Sequence, residues 1–371
     1  MSLYIGSIVI FCGLLLALSV VLEIAARFFV DAGPFTIDVN NGERTLTAEG
    51  GSTLLNVLTD NKIFIPSACG GQATCGYCKV RLPDSSIADV LPTEKAFLNR
   101  QELANGTRLA CQVKIRRPLS VRIPQHLLSV QQYRAKVIST VSVTHDIKEL
   151  QFKLIDPPTM DYSYGHYIQV SIPDPQEGAI SRAYSVSSPI DQKDVIELNV
   201  RLHPARGKIP AGKGSTYLHN LKVGDEVIIT GPYGEFELDT DPKTELICVG
   251  GGAGMAPMKN LILSILEHIP KKPVWLFFGC RTRADVFYLD LYQKLSQKHP
   301  HFKVIYALSE KADDHWDGET GFIHLSVDKY LPDDLRAQQA FLCGPPPMID
   351  AVTEVLLDKN MRPERIFYDK F

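Results

Sequence analysis

Three of the eight cysteines stand in one glycine-rich stretch, Pro66-Ser-Ala-Cys69-Gly-Gly-Gln-Ala-Thr-Cys75-Gly-Tyr-Cys78, and a fourth follows in Arg108-Leu-Ala-Cys111-Gln112. Five residues separate Cys69 from Cys75, two separate Cys75 from Cys78, and Cys111 lies 33 positions further on. Four thiolates are what a [2Fe–2S] cluster requires. A loop that turns its amides toward an anionic cluster needs residues tolerant of positive φ, and Gly70, Gly71 and Gly76 supply that tolerance. Zinc sites more often show matched Cys pairs or Cys with His, and no His stands near this loop. Eight Cys in 371 residues is not disulfide-dense. The spacing favours an iron–sulfur cluster over zinc, and zinc over disulfides.

Two further segments carry chemistry. In Ser181-Arg182-Ala-Tyr184-Ser185, preceded by Tyr164-Gly-His-Tyr167, a guanidinium, a ring and a hydroxyl suit the pyrophosphate, the isoalloxazine face and the reactive nitrogen of a flavin. In Gly250-Gly-Gly252-Ala-Gly254-Met-Ala-Pro257, a glycine turn follows an apolar strand and opens a helix, where amides and the helix N-terminus meet a pyrophosphate. Each is weak alone; their order along the chain gives them weight.

The elements that would hold these residues fall into four parts. From Ser2 to Leu22 no side chain is charged, and about 20 such residues span a bilayer as a helix. No basic region precedes the run, as a signal peptide would want, so residues 1–30 read as an uncleaved single-pass anchor. Residues 31–127 read as a small β-rich domain, with alternation in Phe35–Val39 and Arg44–Ala48 and a short helix at Thr53–Leu58. Residues 128–239 resume the alternation in Arg134–Val141 and Glu149–Leu154, which suggests an antiparallel barrel. Residues 240–371 alternate strand and helix: Leu246–Val249, a helix from Pro257 to His268, Val274–Phe278, a helix near Leu289. That rhythm implies a parallel sheet covered on both faces. Net charge is −3 with no sustained basic run, so nothing points to nucleic acid.

The cysteine loop with Arg108-Leu-Ala-Cys111-Gln resembles the plant-type and vertebrate-type [2Fe–2S] ferredoxins, which share a β-grasp fold. The plant-type gap between the first two ligands is four residues; the five here are nearer the adrenodoxin-type loop. Arg182-Ala-Tyr184-Ser185 resembles the flavin motif of the ferredoxin–NADP reductase superfamily. That resemblance implies that Gly214, Ser215 and Thr216 hold the FAD pyrophosphate, that Tyr167 belongs to the flavin site, and that Val200-Arg201-Leu202 lies beside the adenine half. It also implies that Gly252, Gly254 and Pro257 form the nicotinamide-nucleotide turn. Cys343 and Gly344, in Cys343-Gly-Pro-Pro, would then lie beside nicotinamide C4, Cys343 positioning the hydride without a covalent bond, and a terminal aromatic, Phe371 or Tyr368, would cover the flavin. Cys248 and Cys280 read as packing residues. At the strand end Tyr306-Ala-Leu-Ser309, Glu310 would repel a 2′-phosphate and accept from a ribose hydroxyl, which favours NADH; Arg281 and Arg283 are the residues that would reverse this.

Hydride brings two electrons and a [2Fe–2S] cluster takes one at a time, so a flavin between them converts one to the other. The domain order supports a route from NADH through FAD and the cluster to an acceptor. An anchor joined to a ferredoxin and a flavin reductase resembles the F subunits of the bacterial sodium-translocating NADH:quinone oxidoreductases, a resemblance that also covers Trp316-Asp-Gly318 and Gly321-Phe-Ile-His324. It implies membrane partner subunits, a quinone reached through them, a sodium path elsewhere, and cofactor domains on the cytoplasmic side of the bacterial inner membrane. The stretch from Asp156 to Ser181 is shorter than those proteins usually carry, which leaves a paralogous membrane reductase open. A reductase component of a multicomponent oxygenase shares the three-domain plan but normally lacks an anchor. A tethered carrier with a vestigial nucleotide site is a third reading, opposed by the intact Arg182, Ser215, Gly254 and Cys343.

Overall fold

A computed structural model describes residues 11–21, 33–67, 69–83, 90–175, 178–310 and 315–370, the last without the Lys370 side chain. Residues 11–21 form helix α1, with Phe11, Leu14 and Leu16 exposed. Among the described residues no helix is long and apolar enough to cross a membrane. Most of the expected anchor, residues 1–10 and 22–30, lies outside the described residues. Two compact units divide after Ser129.

In the first unit, β1 (Phe35–Val39) and β2 (Arg44–Ala48) pair as a hairpin. Helix α2 (Leu54–Asp60) starts where the Thr53 hydroxyl accepts from the Asn56 amide, and it buries Leu54, Leu55, Val57 and Leu58. The cysteine loop leads into β3 (Lys79–Arg81); α3 (Pro92–Lys95) and α4 (Arg100–Ala104) follow. Strand β4 (Thr107–Leu109) returns antiparallel to β3, and β5 (Leu119–Val121) joins β1 in parallel, giving the sheet order β2-β1-β5. Helix α5 (Gln125–Leu128) closes the unit.

The second unit begins with β6 (Gln131–Ser142), β7 (Ile147–Asp156), β8 (Tyr167–Asp174), β9 (Gly178–Ser185) and β10 (Val195–Arg201). Helix α6 (Lys213–Asn220) and β11 (Glu226–Tyr233) complete the barrel region, ordered β10-β7-β6-β11-β8-β9 with every pairing antiparallel. A bridge between Val186 and Leu198 brings the two outer strands together, and the side chains that alternate inward, among them Leu150, Phe152, Ile168, Val170 and Leu198, fill the interior.

The remainder is a six-stranded parallel sheet. Its elements are β12 (Leu246–Gly251), α7 (Met255–His268), β13 (Val274–Cys280), α8 (Leu289–Lys298), β14 (Phe302–Leu308), β15 (Glu319–Thr320), α9 (Ile323–Tyr330), β16 (Gln339–Gly344), α10 (Pro346–Asp358) and β17 (Ile366–Lys370). The order is β15-β14-β13-β12-β16-β17. The central strands β12 and β13 are apolar throughout because both faces are covered, α7 and α8 packing on one side and α9 and α10 on the other. From β12 the chain moves outward to β15, then returns to place β16 on the other flank of β12. That reversal is a topological switch point, where open α/β sheets bind ligands beyond the strand carboxyl ends.

Candidate functional site

The four thiols of the first unit form two pairs. Cys69 Sγ and Cys75 Sγ are 3.4 Å apart, and the Cys78 thiol is hydrogen-bonded to that of Cys111. All four are free. Among the described residues no three His, Cys, Asp or Glu side chains converge as the ligands of one ion would. Two pairs suit a two-iron cluster, with two thiolates for each iron, better than a single tetrahedral zinc. The loop takes its shape from positive φ at Gly70, Gly71 and Gly76, and also at Ala73, inside the five-residue gap. A Cβ on Gly76 would stand 2.7 Å from the Phe97 ring, so glycine is required there sterically as well.

The electrostatics fit an anion-stabilising loop. Cys111 is lowered to about 6, first by its bond with Cys78 against the effect of burial, with Gln112 and the Ala73 amide assisting. At Cys69 burial pushes the thiol up, but donors led by the Thr74 amide outweigh it and bring the value to about 7. Cys78 is raised by the bond with Cys111 and by burial, and Cys75 by burial and by Cys69. Each pair thus holds one thiol ready to ionise beside one whose ionisation its neighbour opposes, a conflict that bound cations relieve.

In the second unit, β8 and β9 set the flavin residues by register. Tyr184 lies opposite Ile168, Arg182 opposite Val170, and Ser185 opposite Tyr167. Strand alternation therefore puts Arg182 and Tyr184 on one face and Ser185 with Tyr167 on the other. Helix α6 approaches so closely that a Cβ on Gly214 would be 2.7 Å from the Tyr184 hydroxyl and 2.9 Å from Arg182 Cγ. The Ser215 hydroxyl is engaged locally: it accepts from the His203 amide at 3.1 Å and donates to the Gly212 carbonyl at 3.1 Å. The Thr216 amide is bonded to the Gly212 carbonyl. Ser215 therefore shapes the turn, and the Thr216 amide is taken up in the same turn. Tyr167 stacks on Tyr233 at 5.4 Å. The Gln169 amide nitrogen, opposite Ala183, is buried without a hydrogen-bond partner, which fits a bound group that brings its own acceptors.

The nucleotide turn stands at the switch point. Gly252 has φ +59, and a Cβ there would lie 2.7 Å from Arg201 Nη1. Arg201 also pairs with Asp146 at 2.9 Å, so this barrel strand presses a guanidinium against the glycine turn. A Cβ on Gly254 would stand 2.0 Å from the Cys343 carbonyl oxygen, which places the start of α7 against the end of β16. Pro257, in the first turn of α7, costs no internal helix bond. Cys343 is 1% exposed, and burial followed by the neighbouring Asp369 holds its thiol well above the ordinary range. An un-ionised thiol suits a positioning role. Gly344 has φ +155, and a Cβ would meet Met348 at 2.6 Å.

Glu310 and Arg281, which the sequence sets against each other, are partners: Arg281 donates through Nε at 2.8 Å and Nη2 at 2.5 Å to one Glu310 oxygen. Phe371 lies outside the described residues, and Tyr368 is exposed. Sequence reasoning missed Asp369, register partner of Cys343 on β17 and raised by burial to about 6. It also missed Lys259, buried in the apolar helix α7. A lysine followed by an asparagine inside a mostly apolar helix is the signal the sequence offers.

Three families match in chain order: the 2Fe-2S iron-sulfur cluster binding domain over residues 37–116, the oxidoreductase FAD-binding domain over 134–238 and the oxidoreductase NAD-binding domain over 248–354. The F subunit of the Na(+)-translocating NADH-quinone reductase of Yersinia enterocolitica is 34% identical, with 98% of each chain covered, and that of Neisseria meningitidis is equally similar. The chain belongs to the family of these F subunits. Its alignment with the Yersinia relative runs to 402 residues, longer than the chain's 371, so that relative carries residues without a counterpart here. Among solved structures, the Amycolatopsis cytochrome P450 reductase GcoB superimposes with a TM-score of 0.71 at 27% identity, covering 91% of this chain and 98% of that one. A ferredoxin reductase in carbazole 1,9a-dioxygenase gives 0.67 at 26% with the same coverage. This F-type chain therefore has a ferredoxin reductase-like fold with a [2Fe–2S], an FAD and an NAD domain.

Proposed function

We propose that this chain is the electron-input subunit of a membrane quinone reductase, taking electrons from NADH and delivering them, one at a time, to membrane-embedded partner subunits of a sodium-translocating complex. The bound FAD would accept hydride and the bound [2Fe–2S] cluster would carry single electrons onward. Cys69 with Cys75, and Cys78 with Cys111, would each hold one iron. Arg182 and the first-turn amides of α6 would hold the FAD pyrophosphate, Tyr184 its ring, and Ser185, as the last residue of β9, its edge. The Gly252–Gly254 turn would hold the NADH pyrophosphate, and Cys343 with Gly344 would place the nicotinamide. The observation that carries this reading is the meeting of Gly254 with Cys343, and of Gly252 with Arg201, at the switch point of a sheet that shares one unit with the flavin barrel.

Residues 1–30 would anchor the protein, supported by the uncharged run from Ser2 to Leu22 and by the exposed apolar surface of α1. The cofactor domains would then lie on the cytoplasmic face of a bacterial inner membrane. An oxygenase reductase role is weaker, because the oxygenase-type reductases match at lower identity and over less of the chain than the sodium-translocating relatives do. NADH preference rests on Glu310, with Arg281 held in its ion pair and so less available to a 2′-phosphate. Full-length protein in detergent should reduce ferricyanide with NADH and do so at least about tenfold less efficiently with NADPH, a difference of roughly 1.4 kcal/mol. Absence of NADH oxidation by protein that retains FAD would contradict the enzyme reading.

A further inference from the structure

Helix α7 begins at the nucleotide turn and carries polar groups, Lys259, Asn260 and Ser264, that engage the flavin barrel. Asn260 Nδ2 donates to the Ser188 carbonyl at 2.6 Å, and its Oδ1 accepts from the Gly165 amide at 3.1 Å. One turn on, Ser264 Oγ accepts from the Ile190 amide at 3.1 Å. The deepest contact is Lys259, whose ammonium reaches Glu197 Oε1 on β10 at 2.6 Å and Glu149 Oε2 on β7 at 3.1 Å. It lies 4.3 Å above the centre of the Tyr288 ring. Tyr288 donates to the same Glu149 oxygen and accepts from Asn199 Nδ2 at 2.7 Å. Tyr288 has φ +60, an uncommon conformation for an aromatic residue.

Glu197 in turn accepts from the Ser187 hydroxyl at 2.7 Å, two residues beyond Ser185. A continuous chain of charge-assisted bonds therefore runs from the end of the flavin strand through Glu197 and Lys259 to the first turns of the helix that opens at Gly254. Burying these charges is costly unless they are fully paired, and apolar replacements of similar size often hold a fold as well or better. Fold stability alone does not account for the network. Geometry does, because hydride transfer is sensitive to ångström-scale displacement of donor against acceptor.

We propose that Lys259, with Glu149, Glu197 and Tyr288, is a positioning device that fixes the nicotinamide turn against the flavin strand. This rests on the reading that NADH reduces FAD within this unit. None of the four is a catalytic residue; they act through α7 and β9.

Lys259→Met alone strands two buried carboxylates and is prone to misfold, so two other variants carry the test. Tyr288→Phe removes only the hydroxyl and keeps the ring, and the triple variant Lys259→Met, Glu149→Gln, Glu197→Gln removes the buried charge while preserving shape. In full-length protein mixed rapidly with NADH, both variants should retain FAD and bind NADH with Kd within about threefold of the parent. The limiting rate of flavin reduction should fall roughly tenfold in Tyr288→Phe and about a hundredfold in the triple variant. Limiting rates within twofold of the parent in both variants would overturn the proposal, and so would a loss confined to Kd or to FAD content. A parent whose flavin NADH does not reduce would instead sink the functional reading itself, which keeps the two failures apart.

Discussion

Cys78→Ala should abolish the paramagnetic signal of the reduced cluster, while NADH should continue to bleach the flavin at a rate within about twofold of the parent. Cys78 is 1% exposed, its thiol is bonded to Cys111, and its carbonyl accepts from the Ala110 amide at 2.8 Å, so the residue is set by the loop on both sides. Alanine keeps the backbone bond and removes one of four thiolates, leaving an iron short of a ligand. The flavin and nucleotide residues belong to the other compact unit, and substitutions at separate, independent sites act additively. Electron paramagnetic resonance after dithionite reduction, with iron and sulfide analysis, reads the first half of the expectation; rapid mixing with NADH reads the second. A persisting cluster signal would remove Cys78 from the ligand set.

Gly254→Val should lower kcat/KM for NADH at least about a hundredfold and leave FAD bound. Gly254 has φ −63 and ψ −6, values any residue adopts, so strain is not the obstacle. The obstacle is the Cys343 carbonyl oxygen, 2.0 Å from where a Cβ would sit. That neighbour is backbone in the parallel sheet, and it cannot rotate aside. The turn must move away from β16 and take the nucleotide amides with it, and a displacement of about 1 Å is enough for a loss of that size. Overpacking of this kind typically also costs about 1–3 kcal/mol of stability, so a thermal unfolding curve should accompany the kinetics. Retained FAD with unchanged kcat/KM would show that the nucleotide does not use this turn.

Much of this arrangement was legible in the sequence, and the reasons differ by part. Strands β1, β2 and β13 alternate or run apolar for the length that sheets demand, and the expected spans differ from the observed ones by two residues or fewer. Helix α7 starts two residues before the Pro257 at which it was expected, because proline is tolerated in a first turn. The thiol set was legible because cysteines in a glycine loop have few other uses. Its division into two pairs was not, since spacing does not say which sulfurs face each other. The motif places Ser215 at the FAD pyrophosphate, but it does not show that the Ser215 hydroxyl is held by the His203 amide and the Gly212 carbonyl, because that depends on how the preceding turn folds back. In the sequence Glu310 argues for NADH and Arg281 against it, whereas the parallel pairing of β13 with β14 makes the two neighbours. The buried lysine network was missed for the same reason: Lys259, Glu149 and Glu197 are far apart in the chain, and only the docking of α7 on the barrel unites them.

The proposed function requires an order of transfer, from NADH to the flavin and then to the cluster. It is tested most directly by mixing full-length protein anaerobically with one equivalent of NADH, following flavin absorbance, and freezing samples on the millisecond scale for paramagnetic resonance of the cluster. Flavin bleaching should come first, the reduced-cluster signal should grow afterwards, and in Cys78→Ala the first phase should survive alone. A cluster signal that rises without prior flavin bleaching would contradict that order.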